Sequence, residues 1–156
     1  MPRFGDSKPM LILKTQFAEQ QGRFSPDGKW IAYVSNETGT TEVYVQSFPP
    51  SGGKWQLSSN GGVTPRWRSD GRELFYLAPD RKIMSVEVRT SGTTFDHGSA
   101  KPLFQVTVDA VTTTATNRYD VSADGQRFLV NASVEDARSV PITVVVNWLA
   151  SVKNER

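Results

Sequence analysis

Four arginines stand beside three Asp-Gly pairs in this chain, and their side chains have the geometry to bind anions. They are Arg23, Arg66, Arg68 and Arg118. A guanidinium presents paired N–H donors that match the oxygens of a carboxylate or a phosphate. If the fold gathers these arginines, they form an anion site, to which the neighbouring Gln21, Asn117 and Tyr119 would add neutral polar contacts.

The same arginines have a second interpretation, because several carboxylates lie near them in the sequence. Asp120, Glu73 and the aspartates of the Asp-Gly pairs could form ion pairs with them. Ion pairs of this kind would hold the arginines in place and satisfy their charge within the protein. Both interpretations stay open at this stage.

The aspartates of the three pairs Asp27-Gly28, Asp70-Gly71 and Asp124-Gly125 could together supply oxygen ligands to a cation. We instead predict that each aspartate accepts hydrogen bonds from the nearby backbone, while each glycine supplies a positive φ. The three pairs are therefore interpreted as structural turns.

A single histidine limits the acid–base chemistry that the chain could perform. His97 follows Asp96, and Asp109 and Asp120 are carboxylates that could join it around a calcium or zinc ion. Such a site would indicate a metal-dependent hydrolase of the lactonase or phosphotriesterase type. A lone histidine lacks the positioned partner that catalysis needs. The sequence therefore favours a non-catalytic protein without a cofactor.

The elements that would position these residues form a unit written three times, over residues 23–33, 66–76 and 120–130. Each copy reads as a short strand, an Asp-Gly turn and an apolar strand. The turn glycines recur at intervals of 43 and 54 residues. Strand-rich units that repeat at about 40 to 50 residues are typical of β-propeller blades. The sequence thus predicts an all-β propeller, in which the first strand of each blade would place the arginines at a channel mouth.

The strand pattern predicts blades over residues 20–62, 63–106 and 117–148, with an orphan outer strand over residues 9–17. The third blade lacks its outer strand. Propellers typically have four to eight blades, so we predict that two copies form a six-bladed ring head to tail. The orphan strand of each copy would complete the third blade of the other. The alternative is that the chain is a fragment of a longer propeller.

The repeats resemble the TolB-type, WD-like β-propeller repeat. The resemblance rests on Phe24-Ser25-Pro26-Asp27-Gly28 followed by Trp30-Ile31-Ala32-Tyr33-Val34-Ser35. More particularly, residues 22–36 together with residues 142–148 are similar to the C-terminal propeller of bacterial transmembrane serine/threonine protein kinases and related winged-helix regulators. No kinase catalytic motif occurs in the chain. The resemblance implies a sensor or protein-interaction scaffold within a larger signalling protein.

Composition restricts the binding partners, the kinds of metal site and the locations that the sequence allows. A net charge of +2 over 156 residues is too small to indicate nucleic-acid binding. The absence of cysteine excludes disulfides and thiolate metal sites. No apolar run reaches the roughly 20 residues that span a bilayer, and the N-terminus does not read as a signal peptide. Location stays open, with a periplasmic or other extracytoplasmic setting expected if the chain belongs to a transmembrane kinase.

These observations predict a binding or protein-interaction scaffold. Its expected partners are a second copy of itself, as a homodimer, and either another protein or a small anionic ligand at the channel mouth.

Overall fold

The structure is a computed structural model that describes residues 11–108, 111, 118–132 and, for the backbone alone, 142–146. Every regular element within these residues is a β-strand, and all strand pairs are antiparallel. The prediction of an all-β protein is therefore confirmed.

The strands form three sheets that follow one another along the chain. The first sheet has the order β1-β2-β3-β4 and comprises β1 (Gln20–Phe24), β2 (Trp30–Ser35), β3 (Glu42–Ser47) and β4 (Lys54–Gln56). In the second sheet β5 (Val63–Trp67) pairs with β6 (Glu73–Leu77) and β6 with β7 (Lys82–Ser91), while β8 (Thr94–His97) and β9 (Lys101–Gln105) both pair with β7. The third sheet has the order β10-β11-β12 and comprises β10 (Tyr119–Val121), β11 (Arg127–Asn131) and β12 (Ile142–Val146).

The three Asp-Gly pairs form the same turn between the first two strands of each sheet. In every copy the glycine N–H donates to the carbonyl three residues earlier at 2.9 Å. The aspartate Oδ1 accepts a hydrogen bond from the backbone N–H two residues later at 3.0 to 3.1 Å. The glycines have φ of 70° or 71°, in the left-handed region that glycine enters without steric cost. The turns therefore fix where each first strand ends.

Alternation along the second strands lets the middle sheet pack against both of its neighbours. One apolar cluster joins the first and second sheets and contains Trp30, Ala32, Val34, Leu74 and Tyr76. A second cluster joins the second and third sheets and contains Phe75, Leu77, Tyr119, Phe128 and Val130. Successive side chains of a strand point to opposite faces, so Leu74 and Phe75 serve different interfaces. This packing holds the first strands of the three sheets beside one another.

Two first strands carry an irregularity at matching positions. Gln21 in β1 and Thr64 in β5 both have φ of 58°, and the register of each strand shifts at that point. The Gln21 side-chain oxygen accepts a hydrogen bond from the Thr64 backbone N–H at 2.6 Å. Bulges of this kind turn the following side chains to a new direction, and here Arg23 and Arg66 follow them.

The segment before β1 differs from the predicted orphan strand. Residues 11–19 contain no strand within the single chain, while residues 9 and 10 lie outside the described part. Ile12 and Leu13 pack instead against Ile31, Tyr33 and Tyr44 on the outer face of the first sheet. A strand needs a neighbour to satisfy its backbone donors and acceptors. The pairing of the predicted orphan strand with a second copy therefore stays a prediction.

Residues 88–97 form a hairpin at the edge of the second sheet. Strand β7 continues to Ser91 and pairs with β8, with Arg89 opposite Asp96 and Thr90 opposite Phe95. Gly92, with φ of 59°, lies in the turn. Phe95 is buried and packs 5.1 Å from Trp30 of the first sheet, centroid to centroid. This contact anchors the hairpin, although the residues around Phe95 are polar.

Candidate functional site

An open cavity of about 400 Å³ lies where the first strands of the three sheets meet. Residues from all three sheets line it: Arg23, Phe24, Pro26, Arg66, Trp67 and Asp120. Arg23, Arg66 and Asp120 occupy the same position in the three repeats, five residues before the turn glycine. The repeat itself therefore brings two guanidiniums and one carboxylate to one place.

Arg66 is the buried charge of this cavity, with 9% of its surface exposed. Its Nε lies 3.4 Å from Asp120 Oδ1, and one terminal nitrogen donates to the Pro65 carbonyl oxygen at 3.0 Å. The guanidinium lies 5.9 Å from the centre of the Tyr119 ring. Burial lowers the pKa of Arg66, Arg23 adds to the lowering, and Tyr119 and Asp120 offset part of it. The side chain is thus held in a fixed position at an electrostatic cost.

Arg23 is the exposed charge of the cavity. Within the described part of the chain, no carboxylate forms an ion pair with its guanidinium. Its proximity contributes to the lowered pKa of Arg66, so the two cations repel each other. An anion placed near both would relieve that repulsion.

Phe24, Trp67 and Pro26 supply an apolar wall beside the charged groups. Phe24 is 54% exposed although its ring makes an edge contact with Phe48, 4.9 Å between centroids. The Trp67 indole N–H donates to the Arg23 carbonyl oxygen at 3.2 Å, which fixes the ring across two sheets. Phe24 and Trp67 were not among the residues predicted for the site. Their position directly after Arg23 and Arg66 was the signal that could have placed them at the site.

Arg68 does not line this cavity. Its guanidinium donates to both carboxylate oxygens of Asp70 at 2.8 and 2.7 Å, and to Glu73 at 2.9 Å. These are the ion pairs that the second interpretation of the arginines described. The hydrogen bonds from Arg68 lower the pKa of Asp70 to about 2. Arg68 is therefore part of the turn.

The remaining residues proposed for the site have other contacts. Gln21 binds the Thr64 N–H as described above. Tyr119 lies buried in the cluster between the second and third sheets, and burial raises its pKa far above the ordinary value. The carbonyl oxygen of the half-buried Arg118 accepts a hydrogen bond from Asn131 N–H at 2.9 Å. Asn117 lies outside the described residues.

The residues of the metal alternative do not come together in the described structure. His97 lines a different cavity, of about 430 Å³, together with residues 56–59 and 98–100. Its ring Nδ1 lies 3.0 Å from the Gly98 carbonyl oxygen, and the backbone N–H of His97 donates to Asp96 Oδ1 at 2.9 Å. Asp120 contacts Arg66 instead, and Asp109 lies outside the described residues. Among the residues described, no three His, Asp or Glu side chains form a group that could hold a metal ion.

Comparison with known proteins gives a likeness of fold. No family model matches the chain, and no curated protein is significantly similar to it. TolB from Acinetobacter baumannii is 19% identical, with 87% of this chain and 43% of that chain covered and a TM-score of 0.44. An oligogalacturonate lyase from Vibrio parahaemolyticus is 14% identical, with 82% of this chain and 34% of that chain covered and a TM-score of 0.50.

The likeness to the lyase, a β-propeller protein, places the three antiparallel sheets among propeller folds. The chain spans between about a third and two fifths of the length of these two structures. In the part of the chain that the structure describes, no helix has the length and apolar character to cross a membrane.

Proposed function

We propose that the protein is a non-catalytic binding module of the propeller type, and that the Arg23–Arg66 cavity binds an anionic group. The observation that carries the proposal is the placement of two arginines from equivalent positions of successive repeats in one cavity. Arg66 contributes a fixed positive charge, and the exposed Arg23 contributes N–H donors. A carboxylate or phosphate between them would be held by charge-assisted hydrogen bonds.

The test is a titration with small anions, followed by NMR. Phenylacetate and inorganic phosphate are added to the wild type and to Arg23→Gln. We expect saturable shifts of the Trp67 indole N–H signal in the wild type, which lose at least most of their amplitude in Arg23→Gln. Arg89→Gln is the matched control, because Arg89 is exposed on β7 and does not line the cavity. Equal binding by Arg23→Gln and the wild type would overturn the proposal.

The same module is proposed to assemble with a second copy of itself. The two interfaces between sheets are built in the same way. In each, one face of the second strand of a sheet packs against the opposite face of the second strand of the next sheet. In the third sheet, the face of β11 that would contact a following sheet is open. It carries Leu129, which is 47% exposed, whereas Ala32 and Phe75 at the equivalent positions are fully buried. The first sheet carries the complementary kind of face at Ile31 and Tyr33, which Ile12 and Leu13 cover in the single chain and would have to leave for a second copy to pack there. Two copies joined head to tail would extend the stack by the same rule.

A role as the sensor part of a larger signalling protein is also proposed. It is supported by the resemblance of residues 22–36 and 142–148 to the C-terminal propeller of bacterial transmembrane serine/threonine protein kinases. In that setting the cavity would report the presence of its ligand to the domains that adjoin it.

A further inference from the structure

The cavity is lined by side chains of both charge signs, and this combination restricts the charge that a ligand can carry. The repeat supplies arginine at the lining position in the first two sheets and aspartate in the third. The Asp120 side chain is 71% exposed. Its contacts with Arg66 Nε at 3.4 Å and with the Val121 N–H at 2.9 Å both fall on Oδ1. Among the described residues no donor contacts Oδ2, which therefore has capacity to accept a hydrogen bond from a ligand.

A purely anionic ligand would gain from the arginines and be repelled by Asp120. A ligand that also carries an ammonium group would place that group against Asp120 and satisfy all three charges. The apolar wall of Phe24, Trp67 and Pro26 adds a surface that charged groups alone would not use. An aromatic face next to such a site suits an apolar side chain or a cation above the ring.

We infer that the cavity binds a zwitterion with an apolar side chain, of the chemistry found in an apolar amino acid or a short peptide of such residues. The ligand carboxylate lies at Arg23 and Arg66, its ammonium group at Asp120, and its apolar part against Phe24 and Trp67. The inference rests on the proposed function, because it assigns the ligand of the same cavity. Asp120 is then the residue that sets the preferred charge of the ligand.

The test is whether Asp120→Asn changes the affinities of two related ligands in opposite directions. L-phenylalanine and 3-phenylpropionate share the carboxylate and the ring but differ in the ammonium group. Both are titrated by NMR into the wild type and into Asp120→Asn, which keeps an acceptor for the Val121 N–H. We expect Asp120→Asn to weaken phenylalanine binding and to strengthen 3-phenylpropionate binding, each by up to about fivefold, the equivalent of about 1 kcal/mol for an exposed charge pair. Asp96→Asn removes an exposed carboxylate that does not line this cavity, and should leave both affinities unchanged.

The outcomes separate the inference from the proposed function. If Asp120→Asn strengthens the binding of both ligands, or changes neither, the zwitterion is excluded while the anion site stands. If neither ligand binds in a manner that depends on Arg23, the anion site fails, and the zwitterion fails with it. A further titration with L-phenylalanyl-L-phenylalanine distinguishes the source of the ligand. Tighter binding of the dipeptide than of phenylalanine would support a peptide, and weaker binding would support a free amino acid.

Discussion

Arg66 and Asp120 occupy the same position in successive repeats, and their side chains meet with Nε and Oδ1 3.4 Å apart. The contact joins the first strand of the second sheet to that of the third. Arg66 is buried and Asp120 is largely exposed, so water screens part of the attraction between the two charges. A buried guanidinium held by a solvated partner does not recover its full desolvation cost.

The first prediction concerns that cost. Arg66→Met keeps an unbranched apolar stem in place of the aliphatic part of arginine and removes the buried guanidinium. Because burial already lowers the pKa of Arg66, we expect the free energy of unfolding to stay unchanged or to rise by up to about 1 kcal/mol. Urea unfolding measures the stability, and the phenylacetate titration should show lost binding. A loss of more than about 2 kcal/mol would mean that Arg66 serves the fold rather than a ligand.

The second prediction concerns the strained backbone of β5. Thr64 is fully buried with φ of 58°, and its hydroxyl has no hydrogen-bond partner among the described residues. In an ordinary strand alanine is more stable than glycine by about 0.5 to 1 kcal/mol. At Thr64 we expect the reverse, with Thr64→Gly more stable than Thr64→Ala by about 1 kcal/mol, because a Cβ is disfavoured in the left-handed region. Denaturant midpoints of the two variants decide the order, and the ordinary order would contradict the backbone geometry.

The third prediction separates two costs at the turn glycines. Gly28 and Gly125 have nearly the same φ, but a Cβ at Gly28 would meet nothing within 4 Å, whereas one at Gly125 would lie 2.7 Å from Arg68 Cδ. Arg68 cannot yield easily, since Asp70 and Glu73 hold its guanidinium. Each alanine should cost about 1 kcal/mol for its φ, and Gly125→Ala should cost about 1 to 3 kcal/mol more for the overlap. Equal unfolding free energies would show that the third turn does not pack on the second.

The fourth prediction concerns acid stability. Hydrogen bonds from Arg68 lower the pKa of Asp70 from 3.8 to about 2. A carboxyl whose pKa is lower in the folded state stabilises the fold above its unfolded pKa, and this contribution is lost as the pH falls through the folded pKa. The wild type should therefore lose stability between about pH 4 and pH 2, and Asp70→Asn should lose less over that window. Urea midpoints across the window test this, and parallel profiles would contradict the ion pair.

Local sequence was sufficient to predict the strands next to the turns. An Asp-Gly pair with an apolar strand after it indicates a hairpin without help from distant residues. Strand β2, for example, covers Trp30–Ser35, the segment that the pattern predicts. Strand β8 gives no such local signal, because Thr94–His97 contains a single apolar residue, Phe95, whose partner Trp30 lies in another sheet.

The candidate site was harder to predict than the strands. Arg66 and Arg68 lie on one short segment, yet only Arg66 lines the cavity, because Asp70 and Glu73 bind Arg68 locally. The bulges at Gln21 and Thr64 redirect the side chains that follow, and neither residue type signals a positive φ. Sequence spacing identifies the repeated position, but three-dimensional packing decides which side chains share a cavity.

The last prediction concerns the open face of the third sheet. Leu129 is 47% exposed in the single chain, while Ala32 and Phe75 at the equivalent positions are fully buried by the next sheet. If a second copy covers Leu129, the solution mass should be near twice 17.3 kDa. Leu129→Asp should then give a folded protein near 17.3 kDa, since a charge buried in an apolar interface is costly. Light scattering behind a sizing column measures both masses.

The control for this experiment is Thr90→Asp, which adds the same charge at an exposed position of β7, away from that face. It should leave the mass unchanged. Because Leu129 is already exposed within one chain, Leu129→Asp should retain the strand signal in circular dichroism, so a loss of mass cannot be attributed to unfolding. A wild type that stays at the mass of one chain at every concentration, or a Leu129→Asp protein that keeps the doubled mass, would contradict assembly through this face. In the first case the Arg23–Arg66 cavity would function within one chain, since all six of its lining residues belong to that chain.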